Sequence, residues 1–121
     1  MGLLYTKMKI FQYKEKLDSL PESVDKILPP VHIRIKPTNA CNHNCRYCAY
    51  RADNLQLGQD MRIKDSIPKE KMMEIIDDLE DMGVKAVTLS GGGEPFCYPH
   101  LLETIRKLSQ TPIPFGMILA W

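Results

Sequence analysis

The run Val84-Lys85-Ala86-Val87-Thr88-Leu89-Ser90 limits the fold of this chain more than any other segment. It is short and mostly apolar, the pattern of a strand buried on both faces in a parallel sheet. Helical signals flank it. Before it, Pro68 suits a first helical position, and Met72, Ile75, Ile76, Leu79 and Met82 form an apolar stripe. Gly83 stands where a left-handed residue ends a helix. After it come the loop Gly91-Gly92-Gly93-Glu94-Pro95 and a second helix, starting near Pro99 and carrying Leu101, Leu102, Ile105 and Leu108. An earlier strand, Val31 to Lys36, sets Val31, Ile33 and Ile35 on one side and His32, Arg34 and Lys36 on the other. A later strand follows Thr111-Pro112-Ile113-Pro114 and runs from Phe115 to Trp121. Strand, helix, strand, helix, strand is the order of parallel strands joined by right-handed crossovers. The fold class is therefore α/β: a parallel-sheet partial TIM-type barrel, truncated after about three strands and two helices. A closed barrel takes about 250 residues, so the 121 residues here predict an incomplete chain with an open sheet edge.

Two units are expected, an amino-terminal extension over residues 1–30 and a main unit over 31–121. In the extension, Leu17, Leu20, Val24, Ile27 and Leu28 suggest a short amphipathic helix broken at Pro21 and ended by Pro29-Pro30. Tyr50 to Ile67 is polar and aperiodic. A connection that long inside a compact domain is often functional, and here it is a candidate cover for the site. With 26% charged residues and a net charge of +1, the chain has no electrostatic footprint for nucleic acid. No apolar run approaches the ~20 residues that cross a bilayer. Met1 to Ile10 lacks the apolar core of a secretory signal, and the match of Met1-Gly2-Leu3-Leu4-Tyr5-Thr6 to an acylation pattern is too short to outweigh a cytoplasmic location. His32, Arg34 and Lys36 admit two readings: a solvated strand face, or the lining of a polar cavity near an anionic substrate.

Chemistry concentrates between the first strand and the polar stretch. Pro37-Thr38-Asn39-Ala40-Cys41-Asn42-His43-Asn44-Cys45-Arg46-Tyr47-Cys48 places three cysteines at C-x3-C-x2-C spacing. Clustered thiols in a chain without export signals are more often metal ligands than disulfides. Three thiolates this close need a loop, since a strand or helix would point some of them apart. Thiolates are the ordinary ligands of iron–sulfur clusters, most of which take four. Three from one loop leave one iron open to a ligand. A structural zinc site is the alternative, with His43 or Cys97 as fourth ligand, and inert thiols are a third. Cys97 reads as a small buried residue near the second helix, and His43 as a solvated loop residue.

The C-x3-C-x2-C loop after a first strand, with Tyr47 before the last cysteine, resembles the signature of the radical S-adenosylmethionine (SAM) superfamily. Gly92-Gly93-Glu94, after the next strand and followed by Pro95, falls where that family places a SAM-binding loop. The resemblance spans about residues 31–121 and owes nothing to residues 1–30. It implies that Cys41, Cys45 and Cys48 ligate a [4Fe–4S] cluster whose fourth iron is chelated by SAM. It further implies that Gly92, Gly93 and Glu94 receive the amino-acid end of SAM, and that Tyr47 packs by the cluster or the adenine. Reductive cleavage of SAM to a 5′-deoxyadenosyl radical, hydrogen abstraction from an unknown substrate, and an electron donor such as flavodoxin or ferredoxin follow from the same resemblance. Cys97 matches no part of that pattern.

Overall fold

The computed structural model describes residues 28–50 and 60–119. The expected helix around Leu17, Leu20, Val24 and Ile27, the middle of the polar stretch (51–59) and the last two positions of the third strand lie outside the described residues.

Among the described residues, three strands form one sheet: β1 (His32–Ile35), β2 (Ala86–Leu89) and β3 (Phe115–Met117), paired in that order and all parallel. Two helices make the crossovers, α1 (Lys69–Asp81) between β1 and β2, and α2 (Leu101–Gln110) between β2 and β3. The parallel α/β order expected from periodicity is the order found. Register then sorts the side chains. Ile33, Val87 and Phe115 form one row across the sheet, and Ile35, Leu89 and Met117 the next row on the same face. All six belong to, or pack on, the core cluster with Met72, Ile76 and Leu79 of α1 and Leu101 and Leu108 of α2. The alternating rows on the opposite face are His32–Ala86 and Arg34–Thr88–Gly116. Side chains alternate across a strand, so the two described helices cover the face of Ile33 and Ile35.

The helices obey the stripe rule with local exceptions. Met72, Ile76 and Leu108 are fully buried, while Met82 and Leu102, also read as stripe residues, are exposed. Met82 lies past the last helical residue, as the C-cap of α1, so helical spacing no longer aims it at the core. Pro68 is the N-cap rather than the first helical residue: its ψ of 150° is extended, and its carbonyl accepts the first helical bond, from the Met72 amide at 2.9 Å. Gly83 follows with φ of +70°, the left-handed conformation a helix end favours and only glycine adopts without penalty. Lys107 of α2 pairs with Asp77 of α1, and Lys69 with Glu103 at 3.5 Å. Both contacts join like ends of the two helices, which therefore run side by side in the same direction.

Residues 60–67 are bound to the root of the cysteine loop. The Asn39 amide donates to the Asp65 carbonyl and the Ile67 amide to the Pro37 carbonyl, both at 2.9 Å, across an antiparallel bridge between Thr38 and Ser66. The Thr38 hydroxyl, 2% exposed, lies 2.7 Å from Ser66 Oγ and accepts from the Ala40 amide at 3.1 Å. An acceptor two residues before its donor is local turn chemistry typical of threonine.

Candidate functional site

The loops that follow β1 and β2 are adjacent because their strands are. Past β2, the Ser90 amide continues the ladder to the Ile35 carbonyl at 2.9 Å. Two more bonds then join loop to loop: Gly93 donates to the Thr38 carbonyl at 3.0 Å, and Glu94 to the Ala40 carbonyl at 2.9 Å. The glycine–glutamate loop is thus fastened to the residue preceding Cys41.

That fastening explains one glycine by a reason other than cofactor approach. A Cβ on Gly93 would run into the Ala40 carbonyl oxygen and lie 2.5 Å from the Asn39 carbonyl carbon. Nonbonded carbons prefer separations near 3.5–4.0 Å, so the position has no room for a side chain. Its missing side chain is filled by the protein's own backbone. Gly92 differs, because a Cβ there would meet only side-chain ends, Asn39 Oδ1 at 2.8 Å and Met61 Sδ at 3.2 Å.

Cys41, Cys45 and Cys48 are in no disulfide and all half-buried. The Cys48 amide donates to the Cys45 carbonyl at 3.1 Å, closing a turn with Arg46 and Tyr47 at its tip. Tyr47 is 81% exposed, so its ring does not anchor the loop to the body of the protein. Cys41 Sγ accepts from the His43 amide at 3.4 Å; hydrogen bonds to cluster sulfurs are one of the means by which proteins set a potential. Among the described residues, no group of three or more His, Cys, Asp or Glu side chains is gathered closely enough to hold a metal ion. The donors match an iron–sulfur cluster in kind and number per loop, while the loop conformation does not yet converge them.

Glu94 is 4% exposed. Its Oε1 accepts from the Phe96 amide at 3.4 Å, capping the short 3-10 turn Pro95–Cys97, and its Oε2 lies 4.0 Å from His43 Nε2. His43, read from the sequence as a solvated loop residue, is instead half-buried against the glycine–glutamate loop. Cys97 is also placed differently from its expected buried position. It is half-buried, and its thiol donates to Asn42 Oδ1, inside the cysteine loop, at 3.5 Å. These two cross-loop contacts, with Thr38 as the buried hinge beneath them, were not readable from spacing. The one available signal was the turn chemistry of Thr38-Asn39 after Pro37.

The description "Radical SAM superfamily" belongs to a family model that matches residues 35–119. The chain belongs to the radical SAM superfamily. Among similar proteins, an uncharacterised protein of Archaeoglobus fulgidus is 35% identical over 108 residues, covering 87% of this chain and 24% of its own length. The [FeFe] hydrogenase maturase subunit HydE of Thermotoga maritima is 30% identical over 64% of this chain and 21% of its own. A GTP 3′,8-cyclase of Chlorobaculum tepidum is 32% identical over 67% of this chain and 22% of its own. The chain therefore spans at most 24% of the length of these curated relatives. No solved structure matches it. No described helix is long and apolar enough to cross a membrane.

Proposed function

We propose that this chain forms the first part of a radical SAM core, the part that holds the [4Fe–4S] cluster and the amino-acid end of SAM. The observation that carries the reading is the pair of backbone bonds joining Gly93 and Glu94 to Thr38 and Ala40, which sets the glycine–glutamate loop beside the three-cysteine loop. When bound, the cluster and SAM supply reductive cleavage of SAM and a 5′-deoxyadenosyl radical competent for hydrogen abstraction. The chain's own part is to bind and orient. Cys41, Cys45 and Cys48 are the thiolate donors, drawn together as the cluster binds, since metal binding and local ordering are commonly coupled. Glu94 offers a carboxylate for an ammonium group, a charge-assisted hydrogen bond, once His43 and the Phe96 amide share it. Gly92 is the glycine whose free side faces movable groups, and Tyr47 supplies an exposed ring free to fold over the site. Four cysteines without a disulfide suit a reducing, cytoplasmic compartment. The electron comes from a small carrier such as flavodoxin or ferredoxin, and the unidentified substrate is expected on the part of the barrel nearest this mouth.

Anaerobic reconstitution with iron and sulfide tests the reading. Expected are a broad charge-transfer absorbance and, after reduction, an electron-spin signal that changes when SAM is added. A colourless protein holding one zinc ion, or a cluster whose signal ignores SAM, would overturn it.

A further inference from the structure

The sheet face turned away from the helices has an unusual composition. Parallel sheets are covered on both faces, and barrel interiors are filled by bulky branched side chains. Here the helix side has those: Ile33, Ile35, Val87 and Leu89. The other face has His32, Arg34, Ala86, Thr88 and Gly116. That makes two cation-forming groups, one hydroxyl and two positions with little or no side chain, a polar row on which Arg34 is exposed and Thr88 is buried beside it, 7% exposed. No carboxylate occurs in any of the three strands.

Charge decides what fits there. Arg34 is exposed, and among the described residues no carboxylate stands within ion-pair distance of it. An exposed guanidinium with no protein partner is open to an anion, and covering it without one would be costly. Arg34 and Thr88 are direct partners in the ladder, and adjacent strands lie about 4.8 Å apart, within the span of one phosphate or carboxylate group. His32 Nε2 lies 2.8 Å from Thr88 Oγ1. With the proton on Nε2, that bond uses one lone pair of the hydroxyl and leaves its hydrogen to donate to an anion. Lys36, next in the alternation, is turned to the Tyr50 ring at 4.6 Å and its hydroxyl, which makes Arg34 the principal cation of the face.

We propose that this face is a substrate-binding surface for an anionic oxygen group, a phosphate or carboxylate, held by the Arg34 fork with Thr88 and His32 beside it. The proposal rests on the radical SAM reading for the word substrate, and on the sheet alone for the anion site. Arginine's planar fork matches both groups in two parallel hydrogen bonds.

The test uses the whole 121-residue chain, isotope-labelled, titrated with inorganic phosphate and separately with acetate at constant ionic strength, and followed by nuclear magnetic resonance. Expected are saturable shifts at the Arg34 side chain and the Thr88 and Gly116 amides; the anion saturating at lower concentration names the group. Arg34→Gln should weaken binding by roughly tenfold or more, the loss expected for hydrogen bonds to a charged group. Arg34→Lys should recover part of it, and Arg106→Gln, exposed on α2, should change nothing. Shifts centred instead on the cavity of about 360 Å³ flanked by Lys36 and Lys71, shifts surviving Arg34→Gln, or no saturation would overturn the proposal. Cluster reconstitution run on the same samples separates the two readings. A SAM-sensitive cluster without anion binding ends this proposal alone, whereas saturable anion binding without a cluster upholds the anion site and ends the proposed cluster-holding role of this chain.

Discussion

Replacing Gly93 with alanine tests the claim that this glycine is required by the protein's own backbone. Gly93 has no positive φ, since Gly83 alone does among the described residues, so conformational strain is not at issue and the cost is steric. The added methyl would overlap the Ala40 carbonyl oxygen and lie 2.5 and 2.7 Å from the Asn39 and Ala40 carbonyl carbons. These are backbone atoms and cannot rotate away. Either loop must shift, and the nearest bonds to lose are Gly93–Thr38 and Glu94–Ala40. Overpacking costs about 1–3 kcal/mol, and two net hydrogen bonds about 1 kcal/mol each, so the total is about 3–5 kcal/mol. That is a large share of the ~5–15 kcal/mol that holds a domain together. Gly92→Ala is the internal control: its methyl meets only Asn39 Oδ1 and Met61 Sδ, which can move, and should cost less than ~1 kcal/mol. Urea unfolding followed by circular dichroism reads both midpoints, and iron uptake reads the loop. Gly93→Ala with the wild-type midpoint and wild-type iron content would refute the steric argument. Equal losses in both variants would show that the two glycines share one role.

Three further outcomes are expected. Cys45→Ala should abolish iron incorporation on anaerobic reconstitution, measured by iron analysis, whereas Cys97→Ala should leave it intact although its thiol reaches Asn42 in the cysteine loop; equal iron loss would make Cys97 a ligand. Ile76→Ala, at a fully buried position of α1, should lower stability by about 2–5 kcal/mol, read from the same urea curves, and a cost under ~1 kcal/mol would mean that the helix is not seated on the sheet as described. Tyr98 gives a pH dependence: burial pushes its hydroxyl pKa above the ordinary value, with Glu103 and Glu70 adding to the rise against a bond to Thr104 that lowers it, while the hydroxyl donates to the Ile67 carbonyl at 2.8 Å. A raised folded pKa means stability that is complete below pH ~10 and declines as pH rises through the folded value; Tyr98→Phe should lose about 1 kcal/mol at neutral pH and flatten that alkaline decline.

The parts of this molecule legible in its sequence are those governed by a period. The apolar run around Val87 and Leu89 and the stripe of Met72, Ile76 and Leu79 are repeated signals, and a single misplaced residue such as Met82 or Leu102 does not erase them. Contacts between loops have no period. The meeting of His43 with Glu94 and of Cys97 with Asn42 depends on the register that sets Ile35 against Leu89, a long-range fact no local spacing contains. The same register bears on the two readings left by the alternation in β1. His32 and Arg34 could line either a wet surface or an enclosed site when read along one strand. Their row neighbours are Ala86, Thr88 and Gly116, and it is this cross-strand grouping, invisible along one strand, on which the proposed anion site rests. The cysteine triplet is legible because its spacing lies within one loop. The row Arg34–Thr88–Gly116 is assembled across strands, so the proposed anion site has to be measured by titration and cannot be read from spacing.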